Sequence, residues 1–237
     1  MQSYGHDFTG RSASTGTRRS SSVLSYRLRE VVVSFYVRYF LPRIIDLAMR
    51  NSDIARLRAA CIPRASGDVL EIGIGSGLNL PFYSPEVKRV YGVDPSQELQ
   101  AMACKRAVHQ PVNVEFLSQT AEEPLPLPDE SMDTVVMTWT LCSIPNAPKA
   151  LAQMRRVLKP SGNLIFVEHG RAPDRGVAVW QDRLTPTWKR IGGGCHLNRN
   201  VDELLSQAGF QVTELKMFYL PGPRPMMYTY QGLAKVA

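Results

Sequence analysis

The chain lacks the cysteine and histidine spacings that mark metal-binding or disulfide-rich proteins. Its four cysteines form no Cys-x-x-Cys pair and have no paired histidines beside them, which argues against a zinc site or a disulfide framework and predicts a reducing compartment. No apolar run approaches the ~18 residues that a membrane-spanning helix needs, and we see no internal repeat. What remains is a chain of 237 residues with 44% hydrophobic content, enough for one sizeable globular core.

Lysine is absent from the first part of the chain, where all of the excess charge lies. Up to Arg64 there are eleven arginines and four acidic residues, a net charge of +7, whereas seventeen basic residues balance seventeen acidic ones from Ala65 onward. The main domain, predicted to span 65–237, is therefore formally neutral. Because it has no basic patch interleaved with aromatic residues, we expect no nucleic-acid partner.

The arginine-rich N-terminal part divides into two segments. Residues 1–22 are rich in Ser, Thr, Gly and Arg without apolar periodicity, so we predict a disordered basic tail. A transit peptide or a sequence added for expression would have the same composition, so organellar targeting stays open. Residues 23–64 have a helical apolar pattern with an arginine edge and a predicted break at Pro42. They form either a lid packed on the main domain or an amphipathic surface for an anionic membrane or lipid substrate.

The most informative stretch is Val69–Gly77, an apolar run that breaks into alternating glycines. A second apolar run follows and ends at Asp94. This pattern predicts a buried strand, a glycine loop that lets a ligand approach bare backbone, and a neighbouring strand whose terminal carboxylate binds ribose hydroxyls. In a dinucleotide-binding motif the third small residue would fall on Leu78, which is too large. A nucleotide-dependent oxidoreductase is therefore the less favoured class.

The rest of the chain alternates between predicted strands and helices, as in a doubly wound α/β sheet. We predict a seven-stranded Rossmann-like sheet with an N-terminal helical extension and with ligands beyond the carboxyl ends of its strands. The Lys159–Gly162 segment is predicted to stop a helix, and Asn198 to cap a later one. The first two predicted strands end at Ile72 and Val93. The other five are predicted to span 112–117, 134–138, 164–168, 210–218 and 227–235.

Five motifs, in order over about Asp68 to Phe166, resemble the domain of class I S-adenosylmethionine-dependent methyltransferases that act on quinones and phospholipids. They are Val69–Gly77, Gly92–Pro95, Ala121-Glu122, Ser131–Val135 and Arg156–Gly162.

The resemblance implies S-adenosylmethionine as the cofactor, with its methionine part over the glycine loop and its ribose at Asp94. These families often have an Asp that holds the adenine amino group just before the Ala-Glu pair. Here that residue is Thr120, so the adenine contact falls to backbone or to Glu122. The candidate cofactor-binding residues are Glu71, Gly73, Gly75, Gly77, Asn79, Asp94, Pro95, Ala121, Glu122, Thr138 and Thr140.

A second set of motifs resembles the membrane-associated alkyl-thiol methyltransferases of animals and their bacterial relatives. The animal proteins begin with a hydrophobic anchor, whereas this chain has the shorter arginine-edged helix. A small hydrophobic thiol is our first hypothesis for the acceptor, and an amino-phospholipid the second. A quinone or another small molecule, methylated on carbon or oxygen, stays open, as does an inactive cofactor-binding scaffold. The motifs are Thr140–Ser143, Glu168-His169, Trp180-Gln181, Pro186–Lys189 and Gly193–Cys195.

Methyl transfer requires a general base only if the acceptor must lose a proton. His169, just past the fifth strand, and His196 are the candidate bases, and a structural hydrogen bond is the alternative for each. Cys142 is expected to be a packing residue, and Cys195 to be exposed in its glycine-rich turn without a nucleophilic role. We expect no resident metal.

Four aromatic residues are candidates for contact with the substrate. Trp180 and Trp188 could form the wall of an apolar acceptor pocket, although aromatic residues in such a helical insertion are more often core residues. Tyr36 and Tyr39 could close over the cofactor from the N-terminal helix. We expect a monomer or weak homodimer in the cytoplasm, with peripheral attachment to a membrane as the open alternative.

Overall fold

The computed structural model describes residues 36–237. The predicted basic tail and the first part of segment 23–64 lie outside the described residues. The strands are β1 Gly67–Ile72, β2 Val87–Val93, β3 Asn113–Leu117, β4 Met132–Thr138, β5 Leu158–His169, β6 Phe210–Tyr219 and β7 Tyr228–Val236. The helices are α1 Leu41–Ala48, α2 Ser52–Cys61, α3 Gln97–Ala107, α4 Ala147–Val157, α5 Arg175–Ile191, α6 Val201–Gln207 and α7 Arg224–Met227.

The seven strands form one sheet in the order β3-β2-β1-β4-β5-β7-β6. Strands β1 to β5 pair in parallel, and β7 lies antiparallel between β5 and β6. The predicted seven-stranded Rossmann-like sheet is confirmed. After β3 the chain returns to the other side of β1, so the topological switch point, where such sheets bind ligands, lies beyond the carboxyl ends of β1 and β4.

Alternating side chains of the central strands fill two cores, one on each face of the sheet. Leu70 and Ile72 of β1 pack in one core with Met137 of β4, whereas Val69 and Val136 pack in the other. Because parallel strands covered by helices are buried on both faces, they read in sequence as continuous apolar runs. This is why β1 and β4 could be located from sequence.

Strand β5 differs most from its prediction. The segment Lys159–Gly162, predicted to stop a helix, lies inside the strand, because Leu158 pairs with Met132 and Asn163 with Thr134. Four residues therefore oppose Asp133 alone, in a bulge, and Lys159 Nζ binds the Asp133 carboxylate at 2.5 Å. The turn-forming residues do leave the ladder, but the strand has already begun at Leu158.

Two other local predictions were wrong. Pro42 does not break a helix but lies in the first turn of α1, where its missing N–H costs nothing, directly after a single π-turn over Tyr36–Phe40. Helix α6 begins after Asn200 rather than after Asn198, whose side-chain amide instead donates to Asp182 at 2.8 Å. In the part of the chain from Tyr36 onward, no helix is both long and apolar enough to cross a membrane.

Candidate cofactor and acceptor site

The glycine loop follows β1, and its three alternating glycines all have left-handed backbone. Their φ angles are +68° at Gly73, +56° at Gly75 and +79° at Gly77, which residues with a Cβ adopt only with strain. A Cβ at Gly73 would lie 2.2 Å from Thr140 Oγ1, and one at Gly77 would lie 3.1 Å from Ala103 of α3. At Gly75 the nearest atom would be 3.8 Å away. The outer glycines therefore allow close packing, while Gly75 leaves its backbone open to a ligand.

Asp94 lies at the end of β2 and connects the glycine loop to helix α3. Its carboxylate accepts hydrogen bonds from the backbone N–H of Gly75 at 2.9 Å and of Ser96 at 2.8 Å. Burial, partly offset by these two hydrogen bonds, raises the pKa of Asp94. Because a carboxylate can accept about four hydrogen bonds, Asp94 retains acceptor positions for a ligand. The structure thus places the predicted ribose carboxylate against the predicted loop.

Below the glycine loop, Glu71 is the centre of a buried polar network. Its carboxylate accepts from Asn79 Nδ2 at 2.9 Å and from the Tyr83 hydroxyl at 2.8 Å. Asn79 also donates to Thr138 Oγ1 at 3.0 Å, and its amide oxygen accepts from Arg58 Nε at 3.0 Å. Burial raises the pKa of Glu71 to about 7. The predicted cofactor-binding residues Glu71, Asn79 and Thr138 therefore belong to one hydrogen-bond network. Arg58 and Tyr83 also belong to it, and the sequence did not indicate these two.

Trp139, the residue after the carboxyl end of β4, has an unusual backbone conformation. Its φ of +51° is rare for a residue with a bulky side chain and marks a strained position of the kind that is concentrated at functional sites. The Arg58 guanidinium lies 5.0 Å from the ring centroid, in cation–π geometry. Helix α2 therefore contacts the end of β4 as well as the Glu71 network.

Helix α1 is fixed to the glycine loop by one buried carboxylate. Asp46 accepts from Ser76 Oγ at 2.6 Å and from the Arg106 guanidinium at 2.7 Å, and it also pairs with Arg50. Burial opposes ionisation, but the hydrogen bonds and the charge of Arg106 outweigh it and lower the pKa of Asp46. The N-terminal segment therefore contacts the same loop that the motifs assign to the cofactor.

The predicted adenine side is built by contacts between Glu122 and the start of α4. Glu122 accepts from the backbone N–H of Asn146 at 2.7 Å and from the Thr120 hydroxyl at 3.3 Å. Ala121 is buried, whereas Pro95, two residues after the end of β2, is exposed. The Glu122 contact with adenine stays a prediction.

Glu168 joins the loop after β4 to the end of β5. Its fully buried carboxylate accepts from the backbone N–H groups of Thr140 and Leu141, both at 2.8 Å, and of Cys142 at 3.4 Å. Burial raises the pKa of Glu168 to about 7. The carboxylate fixes the conformation of the loop that begins beside Gly73.

Both predicted histidines lie at this loop. His169 is half-buried, and its Nδ1 lies 3.5 Å from Cys195 Sγ. His196 contacts the Cys142 carbonyl twice, through its backbone N–H at 2.7 Å and through Nδ1 at 3.0 Å. Burial lowers the pKa of His196. The expectation that Cys195 is exposed was wrong, because Cys195 is buried with Cys142 in a small third core.

The four aromatic candidates lie in different surroundings. Trp188 packs on the third core, which holds Cys142 and Cys195. Trp180 is exposed, with the Arg183 guanidinium 5.7 Å from its ring centroid. The Tyr36 hydroxyl donates to the Ile191 carbonyl at 3.4 Å, and Tyr39 is exposed. Trp188 therefore packs against the core that includes Cys142 of the loop after β4.

Comparisons with known proteins identify relatives of this chain. The family model described as "Methyltransferase domain" matches residues 70–166. The chain is 31% identical over 206 residues to human thiol S-methyltransferase TMT1A, covering 83% of both chains. It is 40% identical over 158 residues to rat thiol S-methyltransferase TMT1B, covering 65% of this chain and 64% of that protein. The aligned part thus spans just under two thirds of the rat relative.

The fold has relatives among solved structures as well. A structure described as a SAM-dependent methyltransferase from Methanosarcina mazei superposes with a TM-score of 0.59 at 23% identity, covering 73% of this chain and 93% of that chain. At this identity the likeness concerns the fold alone.

Proposed function

Because the chain belongs to the class I S-adenosylmethionine-dependent methyltransferases, we propose that it transfers the methyl group of S-adenosylmethionine to a small hydrophobic thiol. Membership follows from the human relative, which is 31% identical over 83% of this chain. It confirms the resemblance that five ordered motifs indicated. It gives no support to a nucleotide-dependent oxidoreductase.

The residues at the glycine loop fit S-adenosylmethionine. Gly75 leaves its backbone open, and the buried Asp94 carboxylate has acceptor positions left after binding Gly75 and Ser96. We expect the ribose hydroxyls to donate to Asp94 and the methionine part to lie along the glycine loop. When bound, the cofactor supplies an electrophilic methyl group on a positively charged sulfur.

The thiol hypothesis rests on one observation, the convergence of motifs that are far apart in sequence. The segments Thr140–Ser143, Glu168-His169 and Gly193–Cys195, which resemble alkyl-thiol methyltransferases, meet at the carboxyl ends of β4 and β5. Glu168 binds the first segment, and Cys195 contacts His169. Since Thr140 also contacts Gly73, these segments lie beside the cofactor loop. We therefore propose that they form the acceptor side of the site.

Methyl transfer to a thiol is an in-line displacement in which only the acceptor must lose a proton. The leaving sulfide is neutral, so it needs no acid. We propose that His169, half-buried at the end of β5, accepts or directs the thiol proton, while the loop held by Glu168 positions the acceptor. Holding both reactants collinear can itself lower the barrier by several kcal/mol, about 7–11 in favourable cases.

We also propose that helix α1 contacts an anionic membrane surface, from which a hydrophobic acceptor could be taken. Phe40, Ile44 and Leu47 expose 52%, 51% and 73% of their surface, and the exposed Arg43 lies among them. An apolar face edged by arginine favours interfacial binding.

A competition between acceptors tests the proposed function. Purified protein is incubated with methyl-labelled S-adenosylmethionine and equal amounts of an alkyl thiol, an amino-phospholipid in vesicles and a quinol, and products are identified by mass spectrometry. We expect label in an S-methyl thioether. Label only in the phospholipid or the quinol would overturn the thiol assignment, and cofactor binding without any product would indicate a scaffold.

A further inference from the structure

Three potential metal ligands meet next to the proposed acceptor site. Cys142 follows β4, His169 ends β5 and Cys195 follows α5, and we name them the Cys–His–Cys cluster. Their ligand atoms all lie within 4.8 Å of one another, with His169 Nδ1 3.5 Å from Cys195 Sγ. Both thiols are buried, and neither is in a disulfide.

The spacing fits a tetrahedral zinc ion. Zn–S bonds are about 2.3 Å and Zn–N bonds about 2.0–2.1 Å, which places sulfur and nitrogen ligands about 3.6 Å apart and two sulfur ligands about 3.8 Å apart. The observed distance of 3.5 Å from His169 Nδ1 to Cys195 Sγ already matches. The remaining separations, at most 4.8 Å, need a closure of no more than about 1 Å. Two cysteines and one histidine also leave a fourth position open, as in catalytic zinc sites.

The surroundings hold two of the ligands in place. The Cys142 backbone is fixed by Glu168 on its N–H and by His196 on its carbonyl. Gly194 has a φ of +88°, and a Cβ there would lie 3.0 Å from the Ser143 carbonyl, so only glycine lets the Cys195 turn approach this closely. Such outer contacts orient ligands and support metal affinity.

The cluster also has an apolar enclosure. Leu197 is buried with the two cysteines, and Leu184, Trp188 and Met226 pack against them. A dry, apolar shell limits the access of water to a metal and to the group bound at its open position. His169 is half-buried, so the cluster is not closed on every side.

We propose that the Cys–His–Cys cluster binds one Zn²⁺ and presents its open position to the acceptor thiol. This inference rests on the proposed function, methyl transfer to a thiol, and it gives His169 the role of a metal ligand in place of the role of general base. Both cysteines release their protons on binding the metal, and the acceptor thiol releases its own when it binds as a thiolate. The acceptor sulfur then forms the bond to the methyl carbon, the carbon–sulfonium bond breaks, and its electron pair stays on the sulfur of S-adenosylhomocysteine. The neutral thioether product is a weaker ligand and leaves. In this arrangement the metal, rather than a free His169 imidazole, makes the thiol acidic.

Cobalt titration of the reduced full-length protein tests the metal site without relying on turnover. Cobalt bound by thiolates has a sulfur-to-metal charge-transfer absorption, which we expect to saturate at one equivalent and to be displaced by zinc. Since the loss of an outer contact alone typically costs 10–100-fold in affinity, Cys195→Ser and His169→Gln should each weaken binding by at least about 100-fold. Cys104→Ser, which removes an exposed cysteine outside the cluster, should bind as the wild type does.

Two readouts separate this proposal from its premise. Cys195→Ser must retain the far-UV circular dichroism spectrum and the S-adenosylmethionine binding of the wild type, so that a loss of cobalt binding cannot be attributed to unfolding. Cys142→Ser serves as the second variant. No charge-transfer band in the wild type, or an unchanged band in both cysteine variants, overturns the metal site even if thiol methylation is observed. If the band forms, adding an alkyl thiol should shift the visible cobalt bands. An unchanged spectrum overturns the open-position assignment.

Discussion

Replacing Asp94 with alanine should weaken binding of S-adenosylmethionine without unfolding the sheet. The carboxylate accepts from Gly75 and Ser96 and has further acceptor positions for two ribose hydroxyls. Hydrogen bonds to a charged group contribute about 1.5–3 kcal/mol each, and part of this is recovered by water when the group is removed. We therefore expect a net loss of about 1–3 kcal/mol, which is roughly a 5- to 150-fold increase in the dissociation constant.

The chain offers a matched control for this change. Asp133 is also a carboxylate that accepts from a backbone N–H, that of Asp68 at 2.9 Å. It lies at the start of β4, at the opposite end of the parallel strands from Asp94. Asp133→Ala should lower the free energy of unfolding and leave cofactor affinity unchanged. Isothermal titration calorimetry with S-adenosylhomocysteine, which cannot react, measures both variants. Equal affinities of Asp94→Ala and wild type would refute the ribose assignment.

Acidification should have a related effect. Because burial raises the pKa of Asp94, its charge is lost at a higher pH than that of an exposed aspartate. Affinity for the cofactor should therefore begin to fall above the usual aspartate range. In Asp94→Ala the same titration should be flatter.

Three further predictions concern the elements around the loop. Asp46→Ala should lower the free energy of unfolding by about 1–3 kcal/mol in urea titrations, because the buried Ser76 and the partly buried Arg106 lose their partner. Asp53→Ala, at a more exposed carboxylate, should change it by less than about 1 kcal/mol. The lowered pKa of Asp46 means that its contribution to stability is present at neutral pH and is lost as pH falls through the folded-state value. As pH rises from about 4.5 to about 7, the free energy of unfolding of the wild type should fall relative to that of Glu71→Gln. In this range folded Glu71 keeps a proton that the unfolded chain releases. A constant difference between the two free energies over that range would contradict the buried network. Removing residues up to Arg43 should leave the circular dichroism of the sheet intact but reduce either thiol turnover or co-sedimentation with anionic liposomes. If thiol turnover and liposome binding are both unchanged, the segment is a passive tail.

Local sequence patterns were sufficient for the sheet and for the position of the glycine loop beside Asp94. Buried parallel strands are continuous apolar runs, and the glycines and Asp94 are close to the strand ends that position them. The β5 bulge was missed because Lys159–Gly162 has the composition of a turn, and the pairing of Leu158 with Met132 depends on a strand more than twenty residues earlier. Composition alone cannot show that the ladder starts before such a turn.

Contacts between distant side chains could not be predicted. Asp46 and Ser76 are 30 positions apart, and nothing periodic links them. The Cys–His–Cys cluster likewise has no spacing motif, because Cys195 is 26 positions from His169 and each residue follows a different element. Only the parallel ordering of β4 and β5 and the return of the chain after α5 bring these groups together. The sequence showed the residues but not their neighbours.

The most direct test of the account is a single-turnover reaction with a trideuteromethyl-labelled cofactor and a hydrophobic alkyl thiol. Mass spectrometry of the wild-type reaction should show one trideuteromethyl group on the thiol sulfur and an equal amount of S-adenosylhomocysteine, and Asp94→Ala at the same cofactor concentration should form less of both. A wild-type protein that binds the cofactor but leaves the thiol unlabelled, while labelling an amine, an oxygen or a carbon acceptor, would contradict the account.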